Sequence, residues 1–171
     1  DGRFAVVASR HSDTSVAVDL WSLDTASLVG RFGEYAIPHD QLPVSFHEKL
    51  SLWPKFSPTC KYVALCDLVN ARCEVWDVAG FKKLAELDKD VKEVIFDESK
   101  SRCLASTFWH SPQESDEEWL IDLSDGQVRQ RIESEKGQYV WRTFVGERML
   151  GMPTSEDLHD YAPIRVLELN G

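Results

Sequence analysis

The chain has 171 residues and a mass of 19.5 kDa, with 43% apolar and 28% charged residues. This length and apolar content suit one domain with a buried core, and they exclude collagen, coiled coil and low-complexity disorder. The formal net charge of −10 argues against a nucleic-acid or anionic-membrane surface, and no apolar run approaches the roughly 20 residues of a spanning helix.

Short runs of β-branched and aromatic residues, bounded by turn residues, follow one another along the chain. They predict strands throughout, because helical periodicity is absent over any long window. In chain order the predicted strands are 3–9, 16–23 and 28–33, then 51–57, 62–67, 73–78 and 83–87, then 92–96, 103–108, 118–123 and 127–132, and last 139–144, 148–152 and 164–169.

The predicted strands belong to four repeated units. The frame Asp19-Leu-Trp-Ser-Leu-Asp24 returns as Glu74-Val-Trp-Asp-Val-Ala79, and then around Ile121 and Leu167. The steps between the central residues are 55, 45 and 46 residues. A basic residue before an apolar run recurs in register, and a phenylalanine precedes the last three of these runs: Arg3, Lys61, Arg102 and Arg148, with Phe56, Phe96 and Phe144.

Four strands at a period near 45 residues are typical of a β-propeller blade. The predicted fold class is therefore all-β, a propeller segment forming a single domain over residues 1–171. Its blade units are 1–33, 51–87, 92–132 and 139–171, with an insertion loop at 34–50.

The sequence resembles the WD40-like β-propeller repeat. Val75-Trp-Asp-Val-Ala-Gly80 is similar to the third-strand motif of that family, and Phe56-Ser-Pro-Thr-Cys-Lys-Tyr62 resembles its first turn. The family's Gly-His dipeptide is absent, so its buried His–Asp–Ser/Thr–Trp network is not assigned here. The resemblance implies a propeller that acts as a protein-interaction scaffold.

The predicted strand count gives about three and a half blades. The first unit lacks its innermost strand and the last lacks its outermost, whereas propellers close with four to eight blades. Because a blade needs neighbours to bury its faces, we expect the chain to be part of a larger propeller. The ring would be completed by remaining blades or by another copy.

Propeller geometry sorts the predicted connections onto two rims, which we name top and bottom. Connections between second and third strands, and between blades, lie on top, and the others lie below. The top connections hold fifteen acids and four Lys or Arg, against six acids and seven Lys or Arg below, and all five histidines are on top. The top connections are 10–15, 33–51, 67–71, 88–91, 109–117, 133–137 and 153–162.

This asymmetry predicts that the top rim binds a basic protein partner, with the charges selecting it. The alternative is that these loops are simply solvated. Trp109 is the aromatic expected to anchor a partner, although core packing is its other role. The predicted partner-binding residues are Trp109, His110, Glu114, Asp116, Glu117, Glu156, Asp157 and Asp160.

No catalytic residues, cofactor or metal are predicted, because nucleophile-elbow, phosphate-loop, dinucleotide and fixed-spacing metal motifs are absent from the sequence. The predicted function is non-enzymatic. The alternative is the propeller portion of a larger hydrolase, either a serine peptidase or a metal-dependent lactonase.

The cysteines bear on the compartment. We expect Cys60, Cys66, Cys73 and Cys103 to be buried thiols in an intracellular protein, cytoplasmic or nuclear. The alternative is a Cys66–Cys73 cross-strand disulfide in an exported protein. The six tryptophans are mostly expected in the core.

Overall fold

The structure is a computed structural model that describes residues 3–12, 14–36, 52–67, 70–107, 117–133, 139–153 and 165–169. These residues form fourteen β-strands and a short 3₁₀ turn, Glu98–Lys100. The strands are β1 Phe4–Arg10, β2 Ser15–Ser22, β3 Ser27–Ala36, β4 Leu52–Phe56, β5 Tyr62–Asp67, β6 Arg72–Asp77, β7 Lys82–Leu87, β8 Glu93–Asp97, β9 Arg102–Ser106, β10 Glu117–Asp122, β11 Val128–Glu133, β12 Tyr139–Val145, β13 Arg148–Pro153 and β14 Arg165–Glu168.

The strands pair into four antiparallel sheets in which chain neighbours are also spatial neighbours. We name them blade 1 (β1–β3), blade 2 (β4–β7), blade 3 (β8–β11) and blade 4 (β12–β14). Blades 2 and 3 have four strands, and blades 1 and 4 have three. The protein is therefore an all-β propeller segment, as predicted, and each predicted strand overlaps an observed one.

One backbone hydrogen bond marks the same position in every blade. A residue just after the third strand donates its N–H to the carbonyl of the turn before the second strand, over 2.7 to 2.9 Å. The central residue of each predicted repeat lies two residues before the donor, so the predicted register of the repeats is confirmed. These central residues are Trp21, Trp76, Ile121 and Leu167. The four bonds are Leu23 to Arg3, Val78 to Lys61, Leu123 to Ser101 and Leu169 to Glu147.

The predicted basic anchor does not occupy one structural position. Arg102 and Arg148 are the first residues of β9 and β13. Strand pairing matches them to Tyr62, whereas Lys61 lies one place earlier, in the turn. The prediction of a common anchor was wrong because the pairing register follows the buried residues rather than the charge.

Three apolar clusters lie between successive blades. Val18 and Leu20 pack with Leu65 between blades 1 and 2, and Leu104 and Met149 pack between blades 3 and 4. The largest cluster joins blades 2 and 3. Because the middle blades are covered on both faces, every residue of β5 and β9 is buried.

The first blade extends beyond its predicted limit. Strand β3 continues through Glu34 and Tyr35 to Ala36, so the insertion predicted at 34–50 begins later than expected. Tyr35 is only 7% exposed, because it faces blade 2. The remainder of the predicted insertion lies outside the described residues.

The cysteines follow the prediction in part. Cys60 and Cys103 are buried and lie outside any disulfide, and burial raises the pKa of the Cys103 thiol to about 12. Cys66 and Cys73 instead form a disulfide across β5 and β6, which was the alternative. The two residues are direct partners in the strand register, so their side chains share one face of the sheet.

Two tryptophans expected in the core are exposed. Trp119 is buried, but Trp21 is 36% exposed and Trp53 is 59% exposed. Trp21 lies on the face of blade 1 turned away from blade 2, and Trp53 lies on the innermost strand of blade 2. Within the described part of the chain, no neighbouring blade covers Trp21. Trp53 pairs with Cys66 and so lies on the face of blade 2 turned towards blade 3, where its position on the innermost strand leaves it exposed. The side chains of Trp109 and Trp141 lie outside that part.

Candidate protein-interaction face

The top rim is defined by the strand order. Because successive strands alternate in direction, every second connection lies at the same end of the sheets. The longer segments outside the described residues, 37–51, 108–116, 134–138 and 154–164, all join strand ends on this rim. Seven of the eleven excess negative charges predicted for the top rim belong to residues outside the described part of the chain.

Glu117 is the predicted partner-binding residue that the structure describes. It is the first residue of β10, and its side chain is 20% exposed. Its carboxylate lies 3.2 Å from the Lys89 Nζ and also pairs with Arg131. Its charge is therefore largely balanced by cations of the same chain.

The base of the acidic segment 108–116 is held closed. The Thr107 N–H donates to the Glu117 carbonyl over 3.0 Å, and the Glu117 N–H donates to Thr107 Oγ1 over 3.1 Å. The sequence continues the run of acids with Glu118, but Glu118 is 1% exposed and lies on the side of β10 facing blade 4, so it does not belong to the surface of this segment. The other predicted site residues lie outside the described residues: Trp109, His110, Glu114, Asp116, Glu156, Asp157 and Asp160.

The bottom turns interlock from blade to blade. In the turn of blade 2, Thr59 donates to Glu98 Oε1 of blade 3, over 3.1 Å from its N–H and 2.9 Å from its hydroxyl. At the next interface, Arg102 donates to Glu147 Oε2 over 3.0 Å and lies 5.0 Å from the Phe144 ring centre. The bottom-rim carboxylates Glu98 and Glu147 are therefore bound to groups of a neighbouring blade.

The bottom turn between β10 and β11 also binds its carboxylate within the protein. Asp122 accepts the Ser124 N–H and hydroxyl over 2.8 and 2.6 Å, and Arg129 over 2.9 Å. The bonds from Ser124, followed by the one from Arg129, lower the pKa of Asp122 to about 2.

A buried carboxylate that was not predicted from the sequence joins blades 1 and 2. Glu74 is 4% exposed and accepts hydrogen bonds from the Tyr35 hydroxyl and, over 3.1 Å, from Trp76 Nε1. Arg72 and Lys83 approach its other oxygen, at 2.5 and 3.1 Å. Burial, with the bond to Glu74, raises the pKa of the Tyr35 hydroxyl. The signal was hidden because Tyr35 was assigned to a loop.

Among the described residues, no three His, Cys, Asp or Glu side chains are grouped to hold a metal ion. The same residues include no helix with the length and apolar character to span a membrane.

Four antiparallel blades packed face to face, with linked bottom turns, place the protein in the β-propeller class. No family model matches the sequence, and no curated protein matches it. The β-propeller domain of the Trilobed protease from Pyrococcus furiosus is similar, with a TM-score of 0.56 at 15% identity, covering 98% of this chain and 52% of that one.

Two further solved structures share the fold. KlAtg21, in its complex with the coiled coil of AgAtg16, has a TM-score of 0.58 at 12% identity, covering 98% of this chain and 49% of that one. Pyrococcus horikoshii acylaminoacyl peptidase has a TM-score of 0.53 at 15% identity, covering 98% and 29%. The chain thus spans about half or less of the length of these chains, and identities this low show the fold alone. The WD40-like character stays a prediction from the sequence.

Proposed function

We propose that the chain is a propeller scaffold, not an enzyme, that binds a basic protein partner through its top rim. The observation that supports this proposal is the unequal distribution of charge, with fifteen acids and four Lys or Arg in the top connections against six acids and seven Lys or Arg in the bottom turns. Bottom-rim carboxylates such as Asp122 and Glu147 are engaged in ion pairs within the protein. Most of the excess acid belongs to long segments that start and finish on the top rim.

The proposed contact surface combines charge with one aromatic anchor. Glu114, Asp116, Glu156, Asp157 and Asp160 would attract the partner, and Trp109 would provide buried contact area. Glu117 contributes differently, since its carboxylate is already bound to Lys89 and Arg131. Its role in this proposal is to hold the end of the acidic segment in place.

The test measures binding of a 16-residue Lys-Gly repeat peptide to the full chain by fluorescence anisotropy. Replacing Glu114, Asp116, Glu156, Asp157 and Asp160 with lysine should abolish the affinity and its dependence on salt together, since both arise from the same charges. Glu117 is left unchanged, because its carboxylate pairs with Lys89 and Arg131. The control reverses Asp24 and Asp125, which lie in bottom turns, and should leave binding nearly unchanged. Equal weakening by the control, or no weakening by the five-residue set, would reject the top rim as the site.

The propeller portion of a larger hydrolase is the second candidate function, because one similar structure is the propeller domain of a protease and another is a peptidase. Fold does not choose between the two classes. A nucleophile-elbow motif in flanking sequence would favour a serine peptidase, and stoichiometric calcium or zinc bound to the purified chain would favour a lactonase. Peptide binding that depends on the acidic segments would favour the scaffold.

A further inference from the structure

One face of blade 1 is turned away from blade 2. In blades 2, 3 and 4 the equivalent face is buried against the preceding blade. Leu23 donates the repeated hydrogen bond of blade 1, and its side chain is 55% exposed. The matched side chains Val78, Leu123 and Leu169 are 7%, 3% and 6% exposed, because each packs on the preceding blade. The position is therefore apolar in all four blades and uncovered in one.

Two more positions repeat this contrast. Val7 is 41% exposed, whereas the matched Leu65 in blade 2 is fully buried against blade 1. Trp21 is 36% exposed and matches Trp76, whose ring meets Phe32 of blade 1 edge-on at 5.6 Å. Exposed apolar side chains grouped on one sheet face are typical of an interaction surface.

The chemistry of the uncovered face indicates what fits it. On the face of blade 2 that packs against blade 1, Trp76 contacts Phe32 and Glu74 accepts a hydrogen bond from the Tyr35 hydroxyl. Phe32 and Tyr35 both belong to β3, the outermost strand of blade 1. Blade 1 has the same carboxylate and tryptophan pair, Asp19 and Trp21, at the matched positions.

Blade 3 differs at these positions and so provides a comparison. At the matched positions blade 3 has Trp119 and Ile121, which share an apolar cluster with Leu84 and Leu87 of β7, the outermost strand of blade 2. The carboxylate and tryptophan of blade 2 thus pack against aromatic residues of the preceding blade, whereas the apolar pair of blade 3 packs against aliphatic ones.

We propose that the face formed by Val7, Asp19, Trp21 and Leu23 docks one further propeller blade, whose outermost strand presents an aromatic ring to Trp21 and a hydroxyl donor to Asp19. The phenol of a tyrosine in the position of Tyr35 supplies that donor. Asp19 itself is only 7% exposed and binds Arg31 at 2.7 and 3.3 Å, so the phenol would have to reach it beside the Arg31 side chain. Both of its carboxylate oxygens keep lone pairs that can accept the phenol.

The test builds such a blade from the chain itself. A copy of residues 3–60 is placed directly before Arg3 of residues 3–171, because Arg3 and Lys61 hold matched positions in the repeated hydrogen bond. The copied β1–β3 then forms a preceding blade with the aromatic outer strand, and the copied β4 supplies the innermost strand of blade 1. A second version of the copy has Phe32→Leu and Tyr35→Leu.

The readout is the maleimide labelling rate of Leu23→Cys. The native cysteines are buried or paired, so they give a low background. The rate should fall about tenfold or more in the extended protein, and less with the leucine version of the copy. Val145→Cys, exposed on blade 4, should react equally in both proteins, and Leu123→Cys should be slow in both.

Unchanged labelling of Leu23→Cys in the extended protein would overturn the proposal, as would equal protection by the aromatic and leucine copies. Loss of the β-sheet circular dichroism on extension would count against it as well. The mass of the unextended chain by light scattering should be that of a monomer. A dimer that Leu23→Asp dissociates would mean that a second copy covers this face instead.

Discussion

Single residues with a left-handed backbone close the bottom turns. The turns before the second strands use Cys60, Ser101 and Gly146, with φ between 49° and 61°. The turns after the third strands use Ala26, Phe81 and Gly126, with φ of 49°, 49° and 75°. For a residue with a Cβ this conformation costs about 1–2 kcal/mol of conformational energy, so four of these six turns contain strain that glycine would avoid.

The two glycines differ in their surroundings, which gives a matched pair of substitutions. Gly146→Ala should lower the free energy of unfolding by about 1 kcal/mol, since nothing lies within 4 Å of the added carbon and only the backbone is strained. Gly126→Ala should cost about 1–3 kcal/mol more, because its Cβ would lie 1.9 Å from the Leu84 carbonyl oxygen of blade 2. Urea denaturation measures the free energy of unfolding of both variants. Equal losses would show that the turn of blade 3 does not contact the Leu84 carbonyl of blade 2 closely.

In blades 2 and 3, the first residue of the second strand contacts the next blade. Tyr62 stacks on Phe96 of blade 3 with ring centres 6.1 Å apart, and Arg102 covers Phe144 of blade 4. This contact explains why a phenylalanine recurs at the end of the innermost strands. Arg148 holds the same position in blade 4, where it is 60% exposed and pairs only with Glu168 among the described residues.

Substituting these two arginines separates a blade contact from a surface ion pair. Arg102→Met should destabilise the protein by about 3 kcal/mol, because the side chain is 10% exposed and its loss leaves the Asp97 carboxylate without a cation, bound to the Ser99 hydroxyl. Arg148→Met should change the stability by no more than about 0.5 kcal/mol, since both members of its pair are exposed. Similar thermal shifts for the two variants would contradict the assignment of Arg102 to the interface.

The strands were predictable from the sequence, but their side-chain partners were not. Alternating apolar runs and turn residues located β5, β6 and β9 to within a residue or two. The ion pair of Glu117 with Lys89 depends on where the connection between β7 and β8 passes the start of β10, which no local pattern encodes. Charge alone therefore placed Glu117 among the free acids of the top rim, whereas the structure shows it neutralised.

At the scale of the whole molecule, stability should be unevenly distributed. Among the described residues, the apolar clusters join each blade to its neighbours along the chain, so the protein resembles a linear array of interfaces. The largest apolar cluster lies at its centre, between blades 2 and 3, and the end faces expose Val7 and Val166. The middle of the array gains burial on two faces, and the end blades gain it on one.

Native-state hydrogen exchange should reveal this gradient in strands with equal backbone pairing. Strands β2 and β6 both lie between two hydrogen-bonded neighbours, as do β9 and β13. Amides of β6 should nevertheless exchange more slowly than those of β2, and amides of β9 more slowly than those of β13, because opening a middle blade breaks two apolar interfaces. Equal protection within both pairs would mean that the four blades open as one cooperative unit. In that case the coupling between blades would exceed the stability of any single sheet, and Arg102→Met would speed exchange in every strand rather than in blades 3 and 4 alone.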